Sequence, residues 1–213
     1  MTTLVVIAKE PIPGRVKTRL HPPLSYEQAA ELAAASIDDT LGSMRAVPAS
    51  RRILLFDGDC APESAHGYEV IPQVAGDLDE RLGAIFDLVD GPMVLIGMDT
   101  PQVTAGHLTR VFYDWPDSVD AWLGTASDGG WWALAMRKAD GALLRGVPTS
   151  RDDTGELQKA RLLAAGLTVG TLPMLTDVDT IDDALEVAAD APLGRFASTL
   201  AGFMPALSLK TAS

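Results

Sequence analysis

The feature that most narrows the possible folds lies near the amino terminus. Leu4-Val5-Val6-Ile7-Ala8, a short and largely β-branched apolar run, opens directly into a loop with two prolines, a glycine and four cationic side chains. A run of that length followed by turn residues predicts a buried strand rather than a helix. Lys9, Arg15, Lys17 and Arg19 stand against a single acid, Glu10, so the segment carries +3 in a chain of net charge −12, and the remaining residues sum to −15. A cationic island at the mouth of a buried strand, in an acidic protein, points to a built site for an anionic ligand; the plain alternative is a solvated basic loop.

Downstream, apolar runs and helical patterns alternate. Ser25 and Gln28 have capping-box spacing before an alanine-rich helix over Ala29 to Met44. Strands are predicted at Arg51 to Phe56 and Tyr68 to Ile71, and a helix from Asp77, its cap, to Val89, with Glu80 at the reciprocal position. Pro92 to Gly97 is the clearest buried strand, followed by a helix from Thr104 to about Tyr113. Ala121 to Thr125 and Trp131 to Met136 read as two strands with an antiparallel excursion between them. Helices near Asp152 to Ala165 and Ile181 to Ala189 flank a last strand at Thr168 to Leu172, and the tail from Phe203 to Ser213 carries no signal. This alternation implies an α/β sheet, mostly parallel, with helices on both faces. With no repeat, low-complexity tract or linker, 213 residues are expected to form one domain.

Composition excludes several classes. One cysteine, Cys60, allows neither an intrachain disulfide nor a cysteine-built metal site, which fits a reducing cytoplasm. The apolar stretches are too short for a membrane span and lack the flanks of a signal peptide. Net charge −12 argues against nucleic-acid binding, which draws its affinity from many cation–phosphate contacts. Gly14-Arg15-Val16-Lys17-Thr18 lacks the glycines of a P-loop, no G-x-G-x-x-G follows the first strand, and His21, His66 and His107 are scattered. His21 is expected as a turn residue before Pro22-Pro23, and Trp131-Trp132 as core packing with one exposed face.

In open α/β sheets ligands bind beyond the carboxyl ends of strands. Three features fall there: the basic loop, Asp99 after Ile96-Gly97, and Asp128 before Gly129-Gly130. A lone carboxylate after an apolar strand needs a partner or a cation, so Asp99 is a candidate metal or phosphate-site residue; otherwise it caps the helix near Thr104. Asp128 is either a site residue or an ordinary hairpin turn. Asp177 and Asp179 alternate in an extended segment and share one side. Oxygen donors of this kind suit Mg²⁺ or Mn²⁺, with water and phosphates completing the shell. Thr180, Asp182 and Asp183 have the pattern of a helix start.

Val6 to Leu20, Gly76-Asp77-Leu78 with Arg81-Leu82, Gly97-Met98-Asp99-Thr100-Pro101, Ser127 to Trp132 and Asp177-Val178-Asp179-Thr180 occur in the order found in a bacterial family, DUF2064, which the chain resembles over roughly residues 4 to 190. More distantly it is similar to the molybdenum-cofactor and phospholactate nucleotidyltransferases. The resemblance implies a three-layer Rossmann-like sandwich of the nucleotide-diphosphosugar transferase (GT-A) type. It also implies a transferase that binds a nucleoside triphosphate or nucleotide sugar, a small acceptor and a divalent cation. By position, Lys9, Arg15, Lys17 and Arg19 would hold phosphates, and Gln73 and Gly76 would border the base or ribose. Asp99 would ligate metal, and Asp128 or Asp177 and Asp179 would serve acceptor or metal; Lys17, Asp99 and Asp128 form the catalytic set. Two departures stand out: Asp99-Thr100-Pro101 replaces the aspartate-x-aspartate of many sugar transferases, and Gly76-Asp77-Leu78-Asp79 replaces the family's Gly-Asp-Leu-Gly. Three readings stay open: nucleotidyl transfer, glycosyl transfer, and nucleotide binding without catalysis. The base, the acceptor and the oligomeric state are not legible.

Overall fold

The computed structural model describes residues 1–210, the last six as backbone only. Seven strands, β1 (Thr3–Lys9), β2 (Arg51–Asp57), β3 (Glu69–Pro72), β4 (Met93–Gly97), β5 (Ala121–Thr125), β6 (Trp131–Met136) and β7 (Val169–Thr171), form one sheet in the order β3-β2-β1-β4-β6-β5-β7. Only β6 runs against its neighbours β4 and β5. The expected antiparallel excursion is there, and the sheet is mixed but mostly parallel.

The period-2 pattern of β1 explains the layers. Leu4, Val6 and Ala8 pack on one face with Ala33, Ile37 and Leu41 of α1 (Tyr26–Met44), while Val5 packs on the other with Leu82, Ile85 and Phe86 of α2 (Leu78–Leu88). The helix α4 (Thr154–Ala164) covers the second face through Leu162. A third apolar cluster joins Leu20 and Leu24 to α1, to Val178, and to α5 (Ile181–Asp190) and α6 (Arg195–Lys210). It clamps the end of the basic loop against the segment that follows β7.

Local signals placed most elements. Ser25 and Gln28 form both bonds of the capping box of α1, and Thr180 with Asp183 does the same for α5. Two expectations are corrected. Asp77 occupies the N-cap position of α2, but its side chain makes no cap bond, and Glu80 turns instead to Arg145 at 3.1 Å. The helix expected from Thr104 is a 3₁₀ turn, Ala105–Leu108, followed by one α-turn, α3 (Thr109–Phe112), because Thr104 and His107 cap each other across a single turn and Gly106, Thr109 and Val111 are weak helix formers. Residues 203–210 of the tail belong to α6; 211–213 lie outside the described residues.

The parallel strands end on one edge, and the order reverses at β1, which pairs with β2 on one side and β4 on the other. Such a reversal opens a crevice at the carboxyl ends. The β5–β6 hairpin adds its turn, Asp128-Gly129, to the same edge. Gly129 has φ +87°, and an added Cβ would lie 1.8 Å from the Asp152 carbonyl oxygen. We expect Gly129→Ala to destabilise the protein by more than about 1 kcal/mol, read as a lowered melting temperature. An unchanged Tm would show that this turn is not packed as described.

Candidate functional site

The basic loop is fixed by two buried apolar residues, Val16 and Leu20. Between them Lys17 adopts φ +46°, a left-handed conformation uncommon outside glycine and asparagine. Its side chain is only 8% exposed. The ammonium lies 2.7 Å from Asp99 Oδ1 and 3.5 Å from Asp179 Oδ1, and it donates to the Val178 carbonyl. Arg19 Nη1 reaches Asp179 Oδ2 at 2.8 Å from the solvent side. Burial works against the Lys17 charge, but the carboxylates of Asp99, then Asp179 and Asp177, outweigh it and hold the pKa above the ordinary lysine value.

Asp99 follows β4 directly. Its neighbourhood is tied down by Ser36 Oγ donating to the Met98 carbonyl at 2.5 Å and by Val178 N–H donating to the Asp99 carbonyl at 3.0 Å. Asp99 therefore caps no helix; that role near residue 104 belongs to Thr104. The segment carrying Asp177 and Asp179 is held by two bonds to the β5 end, Leu175 N–H to the Thr125 carbonyl at 3.2 Å and Ser127 N–H to the Leu175 carbonyl at 3.0 Å. Gln102, buried, adds a clamp that no sequence motif signals: Nε2 donates to the Thr176 carbonyl at 2.7 Å.

The two aspartates of this segment differ. Asp179 faces Lys17 and Arg19, whereas Asp177 Oδ1 is buried without a hydrogen-bond partner among the described residues. Burial, then the negative charges of Asp99, Asp128 and Asp179, push its pKa up to about 7 against the weaker opposing effect of Lys17. Asp128 thus lies within electrostatic reach of Asp177, and its Oδ1 also accepts from Gly130 N–H at 2.8 Å. Asp128 shapes the hairpin turn through the Gly130 bond, and its charge also reaches Asp177.

The four cations divide. Lys17 and Arg19 are engaged by carboxylates, while Lys9 and Arg15 have no acidic partner among the described residues and line a cavity of about 430 Å³. Glu10, Asp57, Asp59, Phe56 and Gln73 are among the other residues of its wall. Gln73 is stapled in place: Nε2 donates to the carbonyls of Ala8 at 2.9 Å and Leu55 at 3.2 Å, and Oε1 accepts from Arg81 at 3.2 Å. Arg81 also holds the Gly76 carbonyl at 2.8 Å and Asp57 at 3.0 Å. Gly76 itself lies outside the cavity lining, at the start of α2. Arg81 is thus a bracing residue that sequence reasoning noticed only within a motif.

His21 and the tryptophans take structural places: His21 Nδ1 meets the Leu24 carbonyl at 2.7 Å, and Trp132 is buried with its Nε1 donating to the Pro173 carbonyl at 2.9 Å. Cys60 is exposed in the loop after β2. No helix among the described residues is long and apolar enough to cross a membrane.

A divalent cation fits the donor set. The described residues hold no preformed group of three acidic, histidine or cysteine side chains around one point. Mg²⁺, however, commonly takes only one or two carboxylates and completes its shell with water and substrate phosphates. Asp99 and Asp177, the latter with an orphaned buried oxygen, supply donors of that type.

Residues 40–151, just over half of the chain, match the family described as "Uncharacterized protein conserved in bacteria (DUF2064)". No curated protein sequence matches the chain. Among solved structures it is similar to a candidate nucleotide-diphospho-sugar transferase from Desulfovibrio desulfuricans G20, with TM-score 0.83 and 22% identity over 98% of this chain and 97% of that one. A cytidylyltransferase from Leptospira borgpetersenii serovar Hardjo-bovis aligns with TM-score 0.57 and 13% identity over 97% and 95% of the two chains. Glucosyl-3-phosphoglycerate synthase from Mycobacterium tuberculosis, in complex with Mn²⁺, UDP and glucosyl-3-phosphoglycerate, gives TM-score 0.50 and 14% identity over 89% and 78%. At these identities the likeness establishes the nucleotide-diphosphosugar transferase (GT-A-like) fold.

The raised pKa of Asp177 makes stability pH-dependent with a definite sign. The folded state holds a proton that the unfolded chain releases near pH 4, so stability falls as pH rises from about 4 to about 7 and is flat above. In metal-free buffer, Asp177→Asn should therefore melt above the wild type at pH 8, by up to roughly 10 °C for the roughly 4 kcal/mol that a pKa of about 7 in place of the ordinary 3.8 represents. The gain should vanish near pH 4. A variant that is less stable at both pH values would contradict the assignment.

Proposed function

The chain belongs to the DUF2064 family, and from that premise we propose that it is a divalent-metal-dependent transferase that uses an activated nucleotide. The reaction the site supports best is nucleotidyl transfer from a nucleoside triphosphate to a small phosphorylated or hydroxyl acceptor. The observation that carries this reading is the direct contact of Lys17 with Asp99 at the strand ends, on the same loop as Lys9 and Arg15, which line a cavity without an ion-pair partner among the described residues.

In this reaction an acceptor oxygen attacks the α-phosphorus. The bond from that phosphorus to the bridging oxygen breaks, and pyrophosphate leaves with the electron pair. Such transfer needs little covalent help from protein; positioning and charge neutralisation supply most of the acceleration. Lys9 and Arg15 would hold phosphate oxygens in the cavity, with Gln73 forming the wall towards base or ribose. Lys17 and Arg19 would neutralise the remaining phosphate charge. Asp128, on the hairpin side, would face the acceptor and take up or orient its proton. Asp99 and Asp177, with Asp179 beside them, would hold Mg²⁺ or Mn²⁺, which when bound neutralises phosphate oxygens.

Glycosyl transfer from a nucleotide sugar is the second reading, favoured by the likeness to the Desulfovibrio protein and to the UDP-bound synthase. Against it, Thr100-Pro101 follows Asp99 where many sugar transferases carry a second aspartate two residues on.

A thermal-shift screen of nucleoside triphosphates and nucleotide sugars, with and without Mg²⁺, tests the shared premise. A ligand at 100 times its Kd should add about 2.7 kcal/mol of stability, and no shift with any nucleotide would sink it. Product analysis then separates the two reactions: pyrophosphate marks nucleotidyl transfer, and a nucleoside diphosphate marks glycosyl transfer. Tight binding without metal dependence or turnover over a broad acceptor panel would point to a non-catalytic binder. With the active substrate, Lys17→Ala or Asp99→Asn should lower kcat/KM on the order of 10²-fold or more. Arg15→Ala should act mainly through KM. Wild-type turnover in either of the first two variants would remove Lys17 and Asp99 from the machinery.

A further inference from the structure

In the ligand-free arrangement the acidic cluster already contains a cation of its own. The Lys17 ammonium is 2.7 Å from Asp99 and 3.5 Å from Asp179 and bonded to the Val178 carbonyl, with 8% of its side chain exposed. It is not a loose surface lysine drawn in by chance. The left-handed φ at Lys17 and the buried Val16 and Leu20 on either side set its direction, and Val178 is packed in the same apolar cluster as Leu20. An ammonium and a divalent ion compete for the same carboxylate oxygens, so an ion arriving alone must displace a buried amine that has nowhere better to go. A polyphosphate changes that balance, because its oxygens offer Lys17 a new anionic partner. Lys9, whose backbone N–H contacts Met98 next to Asp99, and Arg15 line a cavity together with Glu10, Asp57 and Asp59 and form no ion pair there among the described residues, so they provide the landing point for the same phosphates.

We infer that Lys17 is the resident counter-ion of this cluster, and that the site takes a divalent cation only together with a polyphosphate, to which Lys17 transfers. The inference rests on the proposed nucleotide-dependent reading and adds to it the form of the ligand and the order of binding. Free metal ion is refused; the metal–polyphosphate complex is accepted. Asp177, whose buried oxygen lacks a partner, and Asp99, released by Lys17, are the carboxylates that the incoming complex finds.

The test uses Mn²⁺ binding followed by electron paramagnetic resonance on the full chain, with inorganic tripolyphosphate as a base-independent probe. The wild type should take up little Mn²⁺ alone and one equivalent when tripolyphosphate is added. Lys17→Met should bind Mn²⁺ alone at least about ten-fold more tightly than the wild type, because a positive charge next to the ion has been removed. Lys17→Arg, which keeps the charge, should exclude it again. Tight uptake of Mn²⁺ alone by the wild type overturns the inference whether or not the variants fold, and so does a folded Lys17→Met chain with unchanged Mn²⁺ affinity. A Lys17→Met chain that folds only when Mn²⁺ is present supports it. Failure of the underlying reading looks different: neither tripolyphosphate nor any nucleoside triphosphate binds the wild type, with or without Mn²⁺.

Discussion

A buried ammonium between two carboxylates is the constraint around which the site is organised. Taking Lys17 out of water costs several kcal/mol unless its charge is met by close partners with good geometry, and Asp99 and Asp179 meet it from two separate parts of the chain. The requirement is mutual. Asp99 ends an apolar strand and Asp179 precedes a helix, and without Lys17 each would lack the cation that meets its charge, with Asp177 within electrostatic reach of both. The ion pairs therefore tie the first loop of the protein to its last third, and apolar packing of Leu20 against the cluster that contains Val178 keeps them aligned.

The same arrangement splits the basic island into two halves. Lys17 and Arg19 are spent on internal acids, while Lys9 and Arg15 remain open towards a cavity braced by Gln73 and Arg81. On the proposed reading, that division offers an anion a local place in a chain of net charge −12, without the broad positive surface that nucleic-acid binding needs.

Sheet topology explains why these pieces meet at all. The strand order reverses at β1, and the carboxyl ends of β1 and β4 lie side by side, which brings the basic loop and Asp99 together. The antiparallel β6 brings the Asp128 turn to the same rim, and the segment after β7 crosses beneath it through backbone bonds to Thr125 and Ser127. A GT-A-like sheet with this order is thus less a scaffold with a site attached than the direct cause of the site.

What the sequence alone determined is what local periodicity and short-range capping encode. The bounds of β5 and β6, the capping boxes at Ser25 and Thr180, and the α/β class all follow from side-chain alternation and hydrogen bonds within a few residues. The candidate residues were legible too, because charged groups at strand ends stand out against apolar runs. Where local patterns misled, a distant partner had intervened: Glu80 left its capping role for Arg145, and Gln102 clamps Thr176 from 74 residues away. Only the tertiary structure decided that Lys17 pairs with Asp179 across 162 residues, that Arg15 meets no acidic partner among the described residues, and that burial pushes the Asp177 pKa up to about 7. Those outcomes depend on burial and on distances between segments remote in the chain, and neither quantity is written in any local stretch of residues.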